Sequence, residues 1–212
     1  DETVALSMDN LDNTSLAVDI TDGATATILN NDAAAVTIED VSGNEDAGAI
    51  TVTATLDYAV QGGFTVDVNT TDGTAETGDS DYSAISSETL TFTGNAGETQ
   101  TFTFTPTADT KLEADETVAL SMDNLDNTSL AVDITDGATA TINNDDNAAV
   151  TIEDVSGNED AGAITVTATL DNAVQGGFTV DVNTTDGTAE TGDNDYSAIS
   201  SETLTFTGNA GE

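Results

Sequence analysis

The chain has no cysteine, no histidine and no tryptophan, and Lys111 is the one basic residue among 212. Without cysteine there is no disulfide framework and no thiol chemistry. Without histidine or cysteine a nucleophilic triad lacks its base, and zinc and copper lose their preferred ligands. One base against 41 acids gives a formal net charge of −40. That balance excludes nucleic acid as an ordinary partner, because phosphate binding needs Lys and Arg, and it disfavours an anionic membrane surface. No apolar run approaches the ~20 residues of a membrane span. Aromatics are 4% of the chain, too few to line the cleft in which a pair of carboxylates would hydrolyse a glycoside. The expectation is a protein that is not an enzyme.

High net charge with few aromatics is also the signature of disorder. Here, however, 37% of residues are hydrophobic, and they fall in period-2 order, the mark of half-buried strands. Small extracellular domains commonly rely on disulfides. One without them needs a sufficient core or another staple, such as a metal.

The sequence repeats itself. Asp1 recurs as Asp115, an offset of 114 (115 − 1), and residues 1–98 lie on 115–212 without a gap. The copies differ only at Leu29/Asn143, Asn31/Asp145, Ala33/Asn147, Tyr58/Asn172 and Ser80/Asn194. A period of this length is a domain rather than a solenoid turn. The junction-like segments "ATILNNDAAAVTI" and "ATINNDDNAAVTI" place boundaries after Asp32 and Asp146. Residues 1–32 then form the C-terminal part of one repeat, 33–146 a complete repeat, and 147–212 the N-terminal part of the next. The chain reads as a window on an array of near-identical domains.

Within 33–146, alternation predicts strands at "AVTIED" (35–40), "AITVTATLD" (49–57), "FTVDVNTT" (64–71), "ETLTFTG" (88–94), "TQTFTFTPT" (99–107), "TVALSMD" (117–123) and "ATATINN" (138–144). Val52, Leu56, Phe64, Val66, Leu90, Phe92, Phe102, Phe104, Val118 and Leu120 are among the inward positions. Gly, Asn and Asp mark the turns between them. No helical period of useful length appears. The fold class is therefore all-β, as tandem seven-stranded antiparallel β-sandwiches. The outward threonines suit a half-exposed sheet by strand propensity, which is a simpler reason for them than a lattice-matching surface.

If successive strands reverse direction, four connections share one rim: "EDVSGNED" (39–46), "TTDGTAETGDSDY" (70–82), "ADTKLEADE" (108–116) and "NNDD" (143–146). They are the densest acidic clusters of the repeat. The opposite end holds fewer acids, although the longer connection there carries Asp123, Asp126, Asp133 and Asp136. A like-charge pair ~4 Å apart costs roughly 1 kcal/mol in water and about 4 at an effective dielectric of 20. Lys111 alone cannot offset such a rim. A hard divalent cation can, and calcium accepts 6–8 oxygen ligands in loose geometry, whereas magnesium wants more water. A solubilising acidic coat would instead spread the acids over outward strand positions, and those are mostly threonine.

"TTDGTAETGDSDYSA", followed by "ETLTFTGNAGETQTFTFTPTADTKLEADETVALSM" and "ATATINNDD", resembles the Calx-beta domain over the full repeat. Calx-beta domains serve as calcium sensors of sodium–calcium exchangers and as tandem modules of large bacterial surface proteins. The resemblance implies an immunoglobulin-like sandwich. It also implies calcium ligation by Glu45 of "GNEDAG", Asp81 of "GDSDY", Asp109, Glu113 and Glu116 of "ADTKLEADE", and Asp145 and Asp146 of "NNDD". In the partial repeats the corresponding residues are Glu2 and Asp32, then Glu159 and Asp195. There are departures from the exchanger pattern. Thr110 and Lys111 interrupt the acidic run after Asp109, Asn144 stands for the first acid of the last run, and Asn31 replaces Asp145 in the first repeat. These imply fewer ions or weaker binding, with the Lys111 ammonium able to fill a cation position.

Asp145 and Asp146 also stand where one repeat runs into the next. The function expected is a structural repeat of a secreted or cell-surface rod, adhesin shaft or filament, stiffened by calcium at interdomain junctions. Its partners are neighbouring identical repeats, head to tail or lateral in a fibre. The alternative is an adhesive module that binds a glycan or protein through calcium-bearing loops. Near-identity of the copies favours a shaft, because a tip normally occurs once.

Overall fold

Alternate side chains of a strand point to opposite faces, so the Thr–apolar–Thr runs between residues 34 and 143 make strands with one dry face. The computed structural model describes residues 1–12, 15–126 and 130–212. Strand β1 (Glu2–Ser7) pairs antiparallel with β2 (Gly23–Ile28). Ten strands follow in two five-stranded sheets. They are β3 (Ala34–Ile38), β4 (Val41–Asn44), β5 (Ile50–Leu56), β6 (Phe64–Asp72), β7 (Tyr82–Ser83), β8 (Glu88–Phe92), β9 (Thr99–Pro106), β10 (Glu116–Asp126), β11 (Val132–Asp133) and β12 (Ala138–Asn143). One sheet has the order β11-β3-β5-β9-β7 and the other β4-β12-β10-β6-β8. Beyond them, β13 (Val150–Ile152) pairs with β14 (Ala168–Leu170), and β15 (Phe178–Val182) with β16 (Glu202–Phe206).

The inner faces of the two sheets form one core. Val52, Ala54 and Leu56 of β5 and Phe102 and Phe104 of β9 meet Val66 and Val68 of β6 and Val118 and Leu120 of β10, all buried. Each large side chain of this kind contributes about 1.5–3 kcal/mol by leaving water. Phe64 and Phe92 stack with centroids 5.0 Å apart across the β6–β8 pair.

Three features depart from the sequence expectation. The first strand is split: β3 stays with β5, whereas β4 crosses to the other sheet and runs parallel to β12. "EDVSGNED", expected as a connection between strands, thus contains a strand at Val41–Asn44 and leads into a single 3-10 turn at Glu45–Ala47. The short β7 and β11 also add to the seven strands expected. Finally, strand directions alternate as expected, but neighbours are not sequential, since β5 lies against β9 and β6 against β10.

Glycine is required at the end of the sandwich opposite the acidic rim. Gly94 has φ +94°, and a Cβ there would lie 2.0 Å from the carbonyl oxygen of Val60. The turn after β5 closes on this point, with Val60 N–H donating to Gly94 O at 2.9 Å. Its copy is Val174 N–H to Gly208 O, also 2.9 Å. The flanking segments repeat the local pairings with less cover. Glu2↔Ile28 reproduces Glu116↔Ile142, yet Val4 is 48% exposed where Val118 is fully buried. Among the described residues, no helix is long and apolar enough to cross a membrane.

Candidate metal centre

Four segments converge on the acidic rim. The 3-10 turn after β4 presents Glu45, the loop between β6 and β7 presents Asp81, the loop between β9 and β10 presents Asp109 and Glu113, and β10 opens with Glu116. Asp145 and Asp146 follow β12. Carboxylate oxygens of Glu45, Asp109 and Asp146 lie within 4.8 Å of one another, and so do those of Asp81, Glu113 and Glu116. Glu45, Asp81, Asp109, Glu113 and Glu116 line a single crevice with Asn144.

Hydrogen bonds fix the loops so that these acids point together. Tyr82 Oη donates to Asp72 Oδ1 at 2.6 Å, and Thr77 N–H donates to the same oxygen at 3.1 Å. Asp72 is thereby held below the usual carboxylate range, chiefly by the Tyr82 hydroxyl and then by the Thr77 amide. Burial, then the bond to Asp72, pushes Tyr82 up to about 12. Asp81 Oδ2 accepts from Glu76 N–H at 2.7 Å, which closes the loop around the acid. Asn144 accepts from Glu113 N–H at 3.0 Å and donates to the Asp146 carbonyl at 3.0 Å, joining the β9–β10 loop to the end of β12.

The centre is electrostatically unsatisfied. Glu45 is 6% exposed, and its Oε1 and the Oδ2 of Asp146 are buried without a hydrogen-bond partner. Burial of Glu45, then the Asp146 carboxyl facing it, then the charges of Asp109 and Asp145, raise Glu45 to about 7. Burial also raises Glu116, despite a hydrogen bond from Gln175 that lowers it. Lys111 pairs with Glu113. Its own pKa is raised mainly by that bond, with further support from Asp81 and Asp109. The lone ammonium thus stands inside the acidic group.

These residues fit a hard cation. The donors are carboxylate oxygens, with no nitrogen or sulfur among them, and buried carboxylate oxygens without donors are costly unless charge is supplied. Calcium accepts such a set readily.

Six of the sequence-derived residues come together in the two groups of three. Asp145 lies beside them, exposed, and accepts from Asn44 Nδ2 at 3.0 Å. Glu2, Asp32, Glu159 and Asp195 are exposed. Among the described residues, both groups lie within 33–146, and none forms around those four. Asp195 does repeat the loop closure of Asp81, accepting from Glu190 N–H at 3.0 Å. Sequence reasoning missed Asn44 and Gln175 and read Asn144 only as a missing acid. The signal for Asn144 lay in its place between two loop-borne acids; nothing local pointed to Gln175.

The Calx-beta domain family matches residues 29–154 and again 143–212. No curated protein matches. Among solved structures, the apo-form Calx CBD1 domain is 21% identical, with 54% of this chain and 100% of that chain covered, at a TM-score of 0.47. The CBD12 structure from CALX1.2 is 22% identical, covering 55% of this chain and 47% of that one, at 0.46. The calcium binding domain CBD12 of CALX1.1 is 24% identical, covering 52% and 44%, at 0.44. This chain therefore spans less than half the length of the two CBD12 structures. With the family matched over residues 29–154 and 143–212, the chain belongs to the Calx-beta domain family.

Proposed function

We propose that this chain is a calcium-binding structural repeat of an extracellular rod, and that it performs no chemistry of its own. The observation that carries the calcium reading is the buried, unpartnered pair Glu45 Oε1 and Asp146 Oδ2, which belong to one of two groups of three gathered carboxylates. Calcium, when bound, supplies the positive charge that the chain lacks. Glu45, Asp109 and Asp146 would hold one ion, and Asp81, Glu113 and Glu116 a second. Asn144 and Asp72 keep the loops in position.

The rod reading is supported by the near-identity of the copies, which suits a spacer built from 114-residue units bounded at 33 and 146. It is also supported by the place of Asp145 and Asp146, between β12 and the strand that opens the next copy. An ion held there limits the swing between repeats, and identical repeats of the same protein are the partners. A secreted or surface location suits such a shaft, since extracellular modules use weak calcium sites, with Kd of about 10⁻⁴–10⁻³ M.

Binding to the native state stabilises it by mass action, by about 2.7 kcal/mol at a hundredfold excess over Kd. Titration with calcium chloride, followed by thermal melting and small-angle scattering, tests the reading. The expected result is a higher melting temperature and a longer, stiffer particle, both reversed by chelator. Unchanged melting and unchanged length end it.

A further inference from the structure

The turn after β14 touches the acidic rim of the repeat before it. Leu112 and Val174 form a one-residue parallel bridge. Leu112 N–H donates to Ala173 O at 2.8 Å, and Gln175 N–H donates to Leu112 O at 2.9 Å. The Gln175 side chain then reaches into the centre. Its Nε2 donates to Glu116 Oε1 at 3.0 Å, and its Oε1 accepts from Ala114 N–H at 3.3 Å. Glu116 is 7% exposed, so its carboxylate needs a donor. The amide that supplies one belongs to the following repeat.

We propose that the Asp81–Glu113–Glu116 centre is composite, with Gln175 of the following repeat as its positioning residue, so that filling the centre and closing the junction are linked. This rests on the calcium reading above. The chemistry of the residue fits the task. An amide fixes the direction of the Glu116 carboxylate without neutralising it, as a lysine would, and without adding charge, as an acid would. Its carbonyl is also an oxygen of the kind calcium accepts. The bridge at Leu112 holds the segment that carries Glu113 on one side and Lys111 on the other, so the same contact orders two members of the centre.

One period earlier the same two residue types face a common cleft. Gln61 and Glu2 are the counterparts of Gln175 and Glu116, and both line one cleft of about 760 Å³ together with Tyr58 and Val60. By linkage, a residue of the next repeat that tightens calcium binding must be tightened in its own seat by calcium, and by the same factor.

The test uses the whole 212-residue chain. Gln175→Ala is compared with the unaltered protein and with Gln61→Ala, the same change at the other junction. Calorimetric titration with calcium chloride reads the sites. Fluorescence energy transfer between dyes on Thr101→Cys and Thr179→Cys reads the junction, and the absence of native cysteine keeps the labels specific. Gln175→Ala should weaken one class of sites about tenfold, as loss of an outer partner of a metal ligand does. Calcium should narrow the distance distribution in the unaltered protein and in Gln61→Ala, and fail to do so in Gln175→Ala. Gln175→Met keeps the length of the side chain without its amide and should reproduce the loss, which guards against a local unfolding effect. Normal calcium affinity in both Gln175 variants overturns the composite site while leaving the calcium reading intact. If the unaltered protein takes up no calcium, the calcium reading itself fails and takes the composite site with it.

Discussion

Asn144 Oδ1 accepts the backbone N–H of Glu113 at 3.0 Å, and this bond ties the tip of the β9–β10 loop to the end of β12. The same side chain donates to the Asp146 carbonyl, so one amide sets two acidic segments relative to each other. An aspartate at this position would keep the acceptor, lose the donor and add another carboxylate to the crevice.

Asn144→Ala should therefore lower calcium affinity by about 10–100-fold, the usual penalty for losing an outer partner of a metal site. Asn144→Asp should melt lower than the unaltered protein in chelator, because one more like charge is held at the rim. It should also show a larger rise on adding calcium. Parallel calorimetric and thermal titrations separate the two effects; equal behaviour of the two variants would count against the double role.

Lys111 places its ammonium among the carboxylates proposed to hold calcium. Its ammonium pairs with Glu113 among Asp81 and Asp109, where it offsets part of the repulsion when metal is withheld. Lys111→Met should lower the melting temperature in chelator and strengthen calcium binding severalfold, since the ion no longer has to displace a resident charge. Raising salt should shrink the first effect, because the lysine side chain is partly exposed and exposed pairs are screened. A variant that binds calcium more weakly would show that the ammonium organises the site rather than blocking it.

Much of this was legible in the sequence because it depends on local periodicity. "AITVTATLD" and "FTVDVNTT" announce strands with Val52, Leu56, Phe64 and Val66 inward, and all four are buried. Alternating strand direction then gathers Glu45, Asp81, Glu113 and Asp146 at one end, whichever strands happen to be neighbours. The split of the first strand was not legible. "EDVSGNED" carries turn residues and acids, and only pairing with β12, nearly a hundred residues later, makes a strand of Val41–Asn44. Gln175 was invisible for a related reason: its significance lies in a contact between repeats, and no local pattern encodes that. Other acids of the chain have local structural roles. Asp72, Asp133 and Glu98 each accept backbone N–H groups in their own turns, and Asp57 accepts from Tyr58 N–H beside it and from Ala35 N–H of β3.

One difference between the copies has a backbone cause. Ser80 sits at φ +72° and its counterpart Asn194 at φ +63°. Asparagine tolerates the left-handed region better than serine does. Ser80→Asn should stabilise the repeat by up to about 1 kcal/mol with calcium affinity unchanged, because Asp81 keeps its place. Chemical denaturation in chelator measures the gain, and a loss of stability would show that the serine has a role of its own.

Glu98 provides a pH-dependent stability that is independent of the rim. Its carboxylate accepts from Thr93 N–H at 2.8 Å, Gly94 N–H at 2.9 Å and Asn95 N–H at 3.2 Å. Donation from Thr93 leads the causes that lower Glu98 to about 2 from an ordinary value of 4.5. A depressed carboxylate favours the folded state while it is ionised, so the contribution is fully present above pH 4.5 and fades as pH falls through 2. Glu98→Gln retains a hydrogen-bond acceptor but lacks the charge. The difference in melting temperature between the unaltered protein and Glu98→Gln should thus be constant from neutral pH down to about 4.5, then shrink towards pH 2. Taking the difference cancels the titration of the rim acids, which both proteins share, and chelator in every buffer removes metal from the comparison. A difference that stays flat across the whole range would mean that the three amides hold the neutral acid as well as the carboxylate, and that the turn after β8 owes nothing to the charge.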